Sequence, residues 1–526
     1  MSRATTLVGP VFTADPNQPW AQSVTMRDQT IVAVGPVADA PPGDVLDVPG
    51  LICPAFHDAH IHLLEGSLFD LWVNLHDERA DDYLRVIEAA AGSLPPEAWV
   101  RGGGWSMAAF TGGNPDGRVL DAVTGGRPAY LTARDGHSAW VNSAALRIAG
   151  VGSQTPDPPG GRIERDGAGE PTGALHETAM GLVREHLPEI SVDEWAAALH
   201  LGQRYLHSLG IAAWQDARLS TPMLQAYVSA EADGRLQARV AAAMHWDPAF
   251  GTSQIEGLRA ARELACHGLV RAPMVKIFVD GVVENGTAAL HEPYLGSHSH
   301  GAPLYEPAAL FSAVQTCVEN GFAVHVHAIG DAATTAALDA FEAVGPPSRD
   351  LRHQICHLQL ISAADIARFA ELRVIANAQA LWACRDQQNV TLCAPALGPT
   401  RFEAQYQFGD LARAGVRLTF GSDWRVSTPD PLAQMEVAMT RRPPGDTETP
   451  ALGPAQALDL TTCLLGFTRE AAYAAGMDRH TGVLSVGRDA DVVVLDTNPF
   501  EVAPYELSSV QVASTFVRGE LVYSAP

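Results

Sequence analysis

The sequence predicts a large (β/α)₈ barrel with additions at both ends and one insertion. Apolar strand-like runs alternate with amphipathic helical stretches through the middle of the chain, which is typical of parallel βα units. Roughly eight such runs occur, and both termini instead carry short strands separated by turn signals, with no helical period. The runs lie near residues 52–62, 211–216, 236–246, 273–280, 322–328, 353–359, 373–379 and 417–424.

The connections between these runs fit helices, except in one place. Residues 194–206 and 332–341 have helical spacing of apolar positions. The interval from about 64 to 192 is far too long for a βα connection. We expect it to form an inserted α/β lobe. Because it leaves the carboxyl end of the first strand, where barrel active sites are built, the lobe is expected to wall the pocket.

The two terminal segments would each be marginal alone, because short strand sets need partners to bury a face. We therefore expect them to pair into one composite β-sandwich. The predicted boundaries are 1–54 for its N-terminal part, 55–475 for the barrel with its lobe, and 476–526 for its C-terminal part.

Composition excludes several classes of function. The chain has 526 residues, 47% of them hydrophobic, and a formal charge of −25. A chain without a basic cluster cannot neutralise phosphates along a groove, so nucleic-acid binding is disfavoured. No segment approaches about 18 continuous apolar residues, so no membrane partner is expected. The seven scattered cysteines fit buried thiols in a reducing cytoplasm. We expect a cytoplasmic protein that acts on a small-molecule substrate. A homodimer is the oligomeric state to test first.

A set of metal-ligand residue types recurs where the predicted strands end. His60 and His62 are two apart, so on a strand they share one face. His327, His357 and Asp423 each lie near the end of a later apolar run. Imidazole nitrogens suit Zn²⁺ and its neighbours, and a carboxylate can bind metal and move a proton. The pattern predicts a metal centre in the barrel mouth.

Lys276 lies in an apolar strand, where an unpaired ammonium is costly. Either it reacts with CO₂ to give a carbamate that bridges two metals, or it forms a salt bridge with a neighbour such as Asp280. By strand alternation, His325 and His353 are expected one layer deeper than the ligands, and Cys356 on the face opposite His357.

The six positions and several longer motifs resemble the metal-dependent amidohydrolase superfamily. More narrowly, the chain resembles amidohydrolase family 3, which contains N-substituted formamide deformylases and YtcJ-like proteins. The motifs that carry the resemblance are Arg101-Gly-Gly-Gly-Trp105, residues 135–146, 169–177 and 280–290, His327-Ala-Ile-Gly-Asp-Ala332, and residues 487–495. They span nearly the whole chain.

The resemblance implies a barrel with a composite β-sandwich and an inserted lobe. It also implies one metal on His60, His62 and Asp423, a second on His327 and His357, and a carboxylated Lys276 bridging them, with Zn expected and Mn, Co or Fe as alternatives. The reaction is expected to be hydrolysis of a non-peptide C–N bond in an amide, formamide or N-acyl compound, with Asp423 as proton shuttle. Substrate contacts are expected from Trp105, His137, Glu284 and Trp382. The alternatives are a mononuclear-metal deaminase of an aminated small molecule and a non-catalytic barrel scaffold.

Overall fold

The computed structural model describes residues 3–76, 78–266, 268–345 and 350–526. Its strands are, in chain order, β1 (Ala4–Phe12), β2 (Trp20–Arg27), β3 (Thr30–Gly35), β4 (Gly43–Asp47), β5 (Ile52–Pro54), β6 (Phe56–Ile61), β7 (Val73–Asn74), β8 (Val100–Trp105), β9 (Ala129–Ala133), β10 (Ser138–Val141), β11 (Gly161–Arg165), β12 (Pro171–Glu177), β13 (Ile211–Leu219), β14 (Arg239–His245), β15 (Val270–Phe278), β16 (Ala323–Ala328), β17 (Gln354–His357), β18 (Ile375–Ala378), β19 (Leu418–Phe420), β20 (Val492–Leu495), β21 (Val512–Val517) and β22 (Glu520–Ser524).

The α-helices of the same residues mostly follow barrel strands. They are α1 (Leu63–Leu68), α2 (Tyr83–Ser93), α3 (Arg118–Val123), α4 (Ser143–Ile148), α5 (Gly181–Arg184), α6 (Val192–Ser208), α7 (Thr221–Ala232), α8 (Ile255–Leu264), α9 (Pro307–Glu319), α10 (Asp331–Val344), α11 (Asp365–Leu372), α12 (Ala394–Glu403), α13 (Phe408–Arg413), α14 (Pro431–Thr440), α15 (Leu460–Gly466) and α16 (Arg469–Ala474). No helix of the described residues is both long enough and apolar enough to cross a membrane.

Eight parallel strands form the barrel, as predicted. They pair in the order β6, β13, β14, β15, β16, β17, β18, β19. Backbone hydrogen bonds just beyond the strand ends join the last strand to the first: the N–H of Asp423 donates to the carbonyl of His60 (2.7 Å), and the N–H of His62 donates to the carbonyl of Trp424 (3.0 Å). These bonds bring the end of the chain's eighth barrel strand against the His60–His62 pair.

The first predicted strand, 52–62, is two strands in the structure. Ile52–Pro54 pairs with β20 and touches β1, and the barrel strand begins at Phe56. The break follows Pro54, which has no N–H to continue a ladder. The chain therefore passes from the sheet of the terminal strands into the barrel at this point.

Strands from both termini share one sheet. Its order is β22, β21, β20, β5, β1, β2, β3, with β4 paired to β1. Apolar side chains from the two ends of the chain form one buried cluster, in which Val24 and Ile52 meet Val492 and Phe516. The pairing of the two termini agrees with the sequence, while the two-layered sandwich form stays a prediction.

The interval between β6 and β13 forms the inserted lobe. Its sheet has the order β11, β12, β10, β9, β8, β7, with parallel pairs at the β7 end and antiparallel pairs at the β11 end. Helix α6 leads from the lobe back to the barrel, and a capping box begins it. Ser191 Oγ accepts from the N–H of Glu194 (3.2 Å), and the Glu194 side chain accepts from the N–H of Ser191 (2.9 Å).

Candidate metal centre

The predicted ligand residues converge at the carboxyl ends of the barrel strands. His60 is the penultimate residue of β6 and His62 follows the strand directly, while Lys276 lies in β15. The others lie at the ends of β16 and β17 and just after β19: His327, His357 and Asp423. In a parallel barrel all these ends open on one side, so residues far apart in sequence meet there.

His60, His62 and Asp423 form one compact group. Asp423 Oδ1 lies 3.1 Å from His62 Nε2 and 3.6 Å from His60 Nε2. One ligand atom of each residue lies within 4.8 Å of the other two. His60 Nε2 and Asp423 Oδ1 are buried and have no hydrogen-bond partner among the described residues. Buried polar atoms without partners are costly, and a shared cation satisfies both, so these residues fit a metal ion.

His327 and His357 lie side by side on the opposite wall. Their ring centroids are 4.5 Å apart, and His357 Nδ1 lies 3.8 Å from Asp423 Oδ2. His357 Nδ1 is also buried without a partner. His327 Nε2 already lies 3.2 Å from the carbonyl oxygen of Gly281 and 3.6 Å from Asp280 Oδ1. The second imidazole pair is therefore assembled, with His357 more open to a further ligand than His327.

Burial favours the neutral form of three of these imidazoles, those of His60, His327 and His357. Desolvation, with the nearby Lys276 as a second cause, holds the pKa of His60 well below its ordinary value. Desolvation likewise lowers the pKa of His327 and of His357, with the neighbouring imidazoles adding to the effect. A neutral imidazole keeps a lone pair on one ring nitrogen, which is the form that binds metal.

Lys276 does not form the salt bridge with Asp280 that was one of the two sequence hypotheses. Lys276 is fully buried, and its Nζ donates to Cys356 Sγ at 3.1 Å. Asp280 instead accepts backbone N–H groups from Ala289, Ile329 and Gly330 at 2.9–3.0 Å. Desolvation lowers the pKa of Lys276, which favours the neutral amine.

The alternation rule was wrong for Cys356. The thiol faces the barrel interior, as Gln354 does, because the two belong to the same face of β17. His357 reaches the same side only because its backbone turns to φ 74° at the strand end, which breaks the alternation. The prediction that His353 lies one layer below His357 also fails, because its ring stacks on Phe341 of helix α10 at 4.5 Å.

His325 is placed one layer below the ligands, as expected. Its Nε2 lies 2.8 Å from His60 Nδ1, and its Nδ1 lies 2.8 Å from the side chain of Gln215. If His60 binds metal through Nε2, its proton is on Nδ1 and is donated to His325. His325 is thus placed to orient the candidate ligand His60.

Comparison with known proteins places this arrangement in a family. The model of the amidohydrolase family matches residues 50–523. The chain belongs to the amidohydrolase family. It is 31% identical to the Arabidopsis thaliana protein LONG AFTER FAR-RED 3, over 98% of this chain and 90% of that one. It is 29% identical to an N-substituted formamide deformylase of Arthrobacter pascens, over 98% and 97% of the two chains.

The fold of this amidohydrolase is shared with solved structures. A metal-dependent hydrolase from Pyrococcus horikoshii superposes with a TM-score of 0.75 at 22% identity, covering 95% of this chain and 99% of that one. The family membership predicted from the motifs is therefore confirmed, and so is the α/β barrel.

A cavity of about 1050 Å³ lies between the metal centre and the lobe. Both the barrel ligands and lobe residues such as Tyr130 and Arg184 line it. A volume of this size accommodates an organic molecule larger than a single amino acid, in line with the usual size of ligand pockets. The lobe therefore walls the cavity beside the candidate ligands, as its position in the chain predicts.

Of the four residues predicted to contact the substrate, two lie at the cavity or against a candidate ligand and two do not. His137 lines the cavity, and its Nδ1 lies 2.8 Å from Glu177 Oε2. Trp382 stacks on His357 with centroids 5.2 Å apart and planes 8° apart. The structure does not bring Trp105 to the cavity: it is buried in the lobe core, where its Nε1 donates to the carbonyl of Leu131. Glu284 lies outside the cavity lining and accepts from Gln388.

Sequence reasoning gave no role to Glu177, whose carboxylate fixes His137. Burial alone would lower the pKa of His137, but the carboxylates of Glu177, Asp135 and Asp423, with Glu177 contributing most, together raise that pKa to about 9. Glu177 is held in turn by Thr287 at 2.8 Å. Each of these residues lies within one of the family motifs quoted above, which was the one available signal for them.

Proposed function

We propose that this chain is a metal-dependent hydrolase of C–N bonds in small amide, formamide or N-acyl compounds. The observation that carries the proposal is the group of His60, His62 and Asp423, whose buried and unpartnered atoms face a large cavity. The similarity to a protein named as an N-substituted formamide deformylase supports this substrate class.

A bound divalent ion would supply Lewis acidity, polarising the carbonyl and lowering the pKa of water from about 15.7 toward 7. The residues of the chain do the rest. Asp423, between the two imidazole pairs, accepts the proton of the attacking water and returns it to the departing amine. The imidazoles of His60 and His62 would hold the ion. The lobe covers the site and limits access of bulk water.

Lys276 is proposed to be carboxylated in the two-metal form. Its burial favours the neutral amine, which can attack CO₂ to give a carbamate and one released proton. The carbamate nitrogen keeps one hydrogen, which can still donate to Cys356 Sγ. The resulting carboxylate would add a negative charge to a ligand set in which Asp423 is otherwise the only acidic residue.

Activity on a panel of formamides, N-acylated amines and aminated heterocycles tests the proposal. Protein with bound metal is expected to release a carboxylate and an amine in equal amounts. Asp423→Asn is expected to lower kcat by about 10²- to 10⁴-fold, the usual contribution of a general acid–base group. Asp339→Asn, a surface change on helix α10, should leave kcat unchanged.

Two results would contradict the proposal. Release of ammonia without any carboxylate product would indicate a deaminase instead. A purified protein that binds no divalent ion, and in which Asp423→Asn changes stability alone, would indicate a barrel without this chemistry.

A further inference from the structure

The sulfur of Cys356 lies inside the metal centre. Single ligand atoms of His60, Cys356 and His357 all lie within 4.8 Å of one another, and all three residues are buried. This second group shares His60 with the group that contains His62 and Asp423. The sulfur therefore lies within 4.8 Å of a nitrogen of the imidazole that both groups share.

The surroundings of the sulfur leave room for a metal bond. Cys356 Sγ accepts from Lys276 Nζ at 3.1 Å and donates its own hydrogen to the carbonyl of Val326 at 2.9 Å. His60 Nε2 and His357 Nδ1, on the same side, have no hydrogen-bond partner in the described part of the chain. Both nitrogens can therefore share an ion with the sulfur, which would satisfy them.

We propose that Cys356 binds the metal ion through its sulfur, together with His60 and His357. The bond forms between sulfur and metal as the S–H bond breaks and its proton passes to solvent. Thiolate ligands select soft ions, so the centre would take Zn²⁺ or Co²⁺ in preference to Mg²⁺ or Mn²⁺. This inference rests on the proposed function only in that the site must hold a metal.

X-ray absorption at the zinc edge of the intact, zinc-loaded protein tests the proposal without any variant. We expect a Zn–S distance of about 2.3 Å beside the shorter Zn–N and Zn–O distances. Protein loaded with Co²⁺ provides a second readout, because a thiolate bound to Co²⁺ gives a charge-transfer band in the near ultraviolet. The band is expected in the unmodified protein and absent from Cys356→Ser.

Cys317→Ser is the matched control. Cys317 is equally buried but lies on α9 in the hydrophobic core, so its loss should leave the band intact. If zinc binds with only nitrogen and oxygen neighbours, or if the band persists in Cys356→Ser, the sulfur ligand is wrong and the proposed hydrolase stands. If the protein retains no metal at all, the proposed function fails together with this inference.

Discussion

Replacing His325 is expected to weaken metal binding although His325 is not a ligand. The residue is fully buried, and its Nε2 lies 2.8 Å from His60 Nδ1. His325→Leu would leave the Nδ1–H of His60 buried and unpaired, at a cost of about 1–3 kcal/mol. Because about 1.4 kcal/mol corresponds to a factor of ten, the metal affinity should fall about 5- to 150-fold. Loss of such outer hydrogen bonds at other metal sites costs about 10- to 100-fold, which agrees.

Competition with a metal-binding dye measures this affinity directly. His325→Gln, which can keep a hydrogen-bond acceptor near His60, should recover part of the loss. His207→Gln is the control, because His207 is buried on α6 and its Nε2 donates to the carbonyl of Gln237, far from the ligands. An affinity of His325→Leu equal to that of the unmodified protein would refute the argument that this bond orients His60.

Three further predictions concern Lys276, a buried histidine and the closure of the barrel. Lys276→Ala should lower the metal content from two ions to one, and Lys276→Glu should partly restore it; equal content by elemental analysis in the alanine variant would exclude the bridging role. Burial lowers the pKa of His207 to about 4, below its ordinary 6.5, so its stabilising effect is complete above pH 6.5 and is lost as the pH falls toward 4. Urea unfolding at pH 7 and at pH 5 measures this loss. The decrease in free energy of unfolding between the two pH values should be about 2 kcal/mol smaller in His207→Gln than in the unmodified protein. A Cβ on Gly421 would lie 2.4 Å from the backbone nitrogen of His60, so Gly421→Ala should lower both the stability and the metal binding of the protein. Gly92→Ala is the control, because a Cβ on Gly92 meets nothing within 4 Å. Equal thermal midpoints of the two variants would contradict this prediction.

The barrel and its lobe could be predicted because both depend on patterns that the sequence carries locally. Strand periods, helix periods and an overlong connection between β6 and β13 are sufficient for that. The break between β5 and β6 could not be predicted from hydrophobicity, because residues 52–61 are buried throughout and alternate into two different sheets. Only Pro54 marks the position.

The ligand set could be proposed because its members are rare residue types at strand ends. The position of Cys356 could not, because it depends on the backbone angle of the next residue, His357, and a φ of 74° is not encoded by any local pattern. Trp105 shows the opposite case. A conspicuous aromatic residue in a motif suggested a pocket, yet its indole packs in the lobe core because that is where a large apolar side chain is most stabilising.

Anomalous diffraction from crystals of the metal-loaded protein tests the central claim most directly. We expect a peak at the barrel mouth between His60 Nε2, His62 Nε2 and Asp423 Oδ1. Metal-loaded crystals with no peak at this position, or with the ion bound elsewhere on the chain, would contradict the claim that these side chains form the metal centre of a hydrolase.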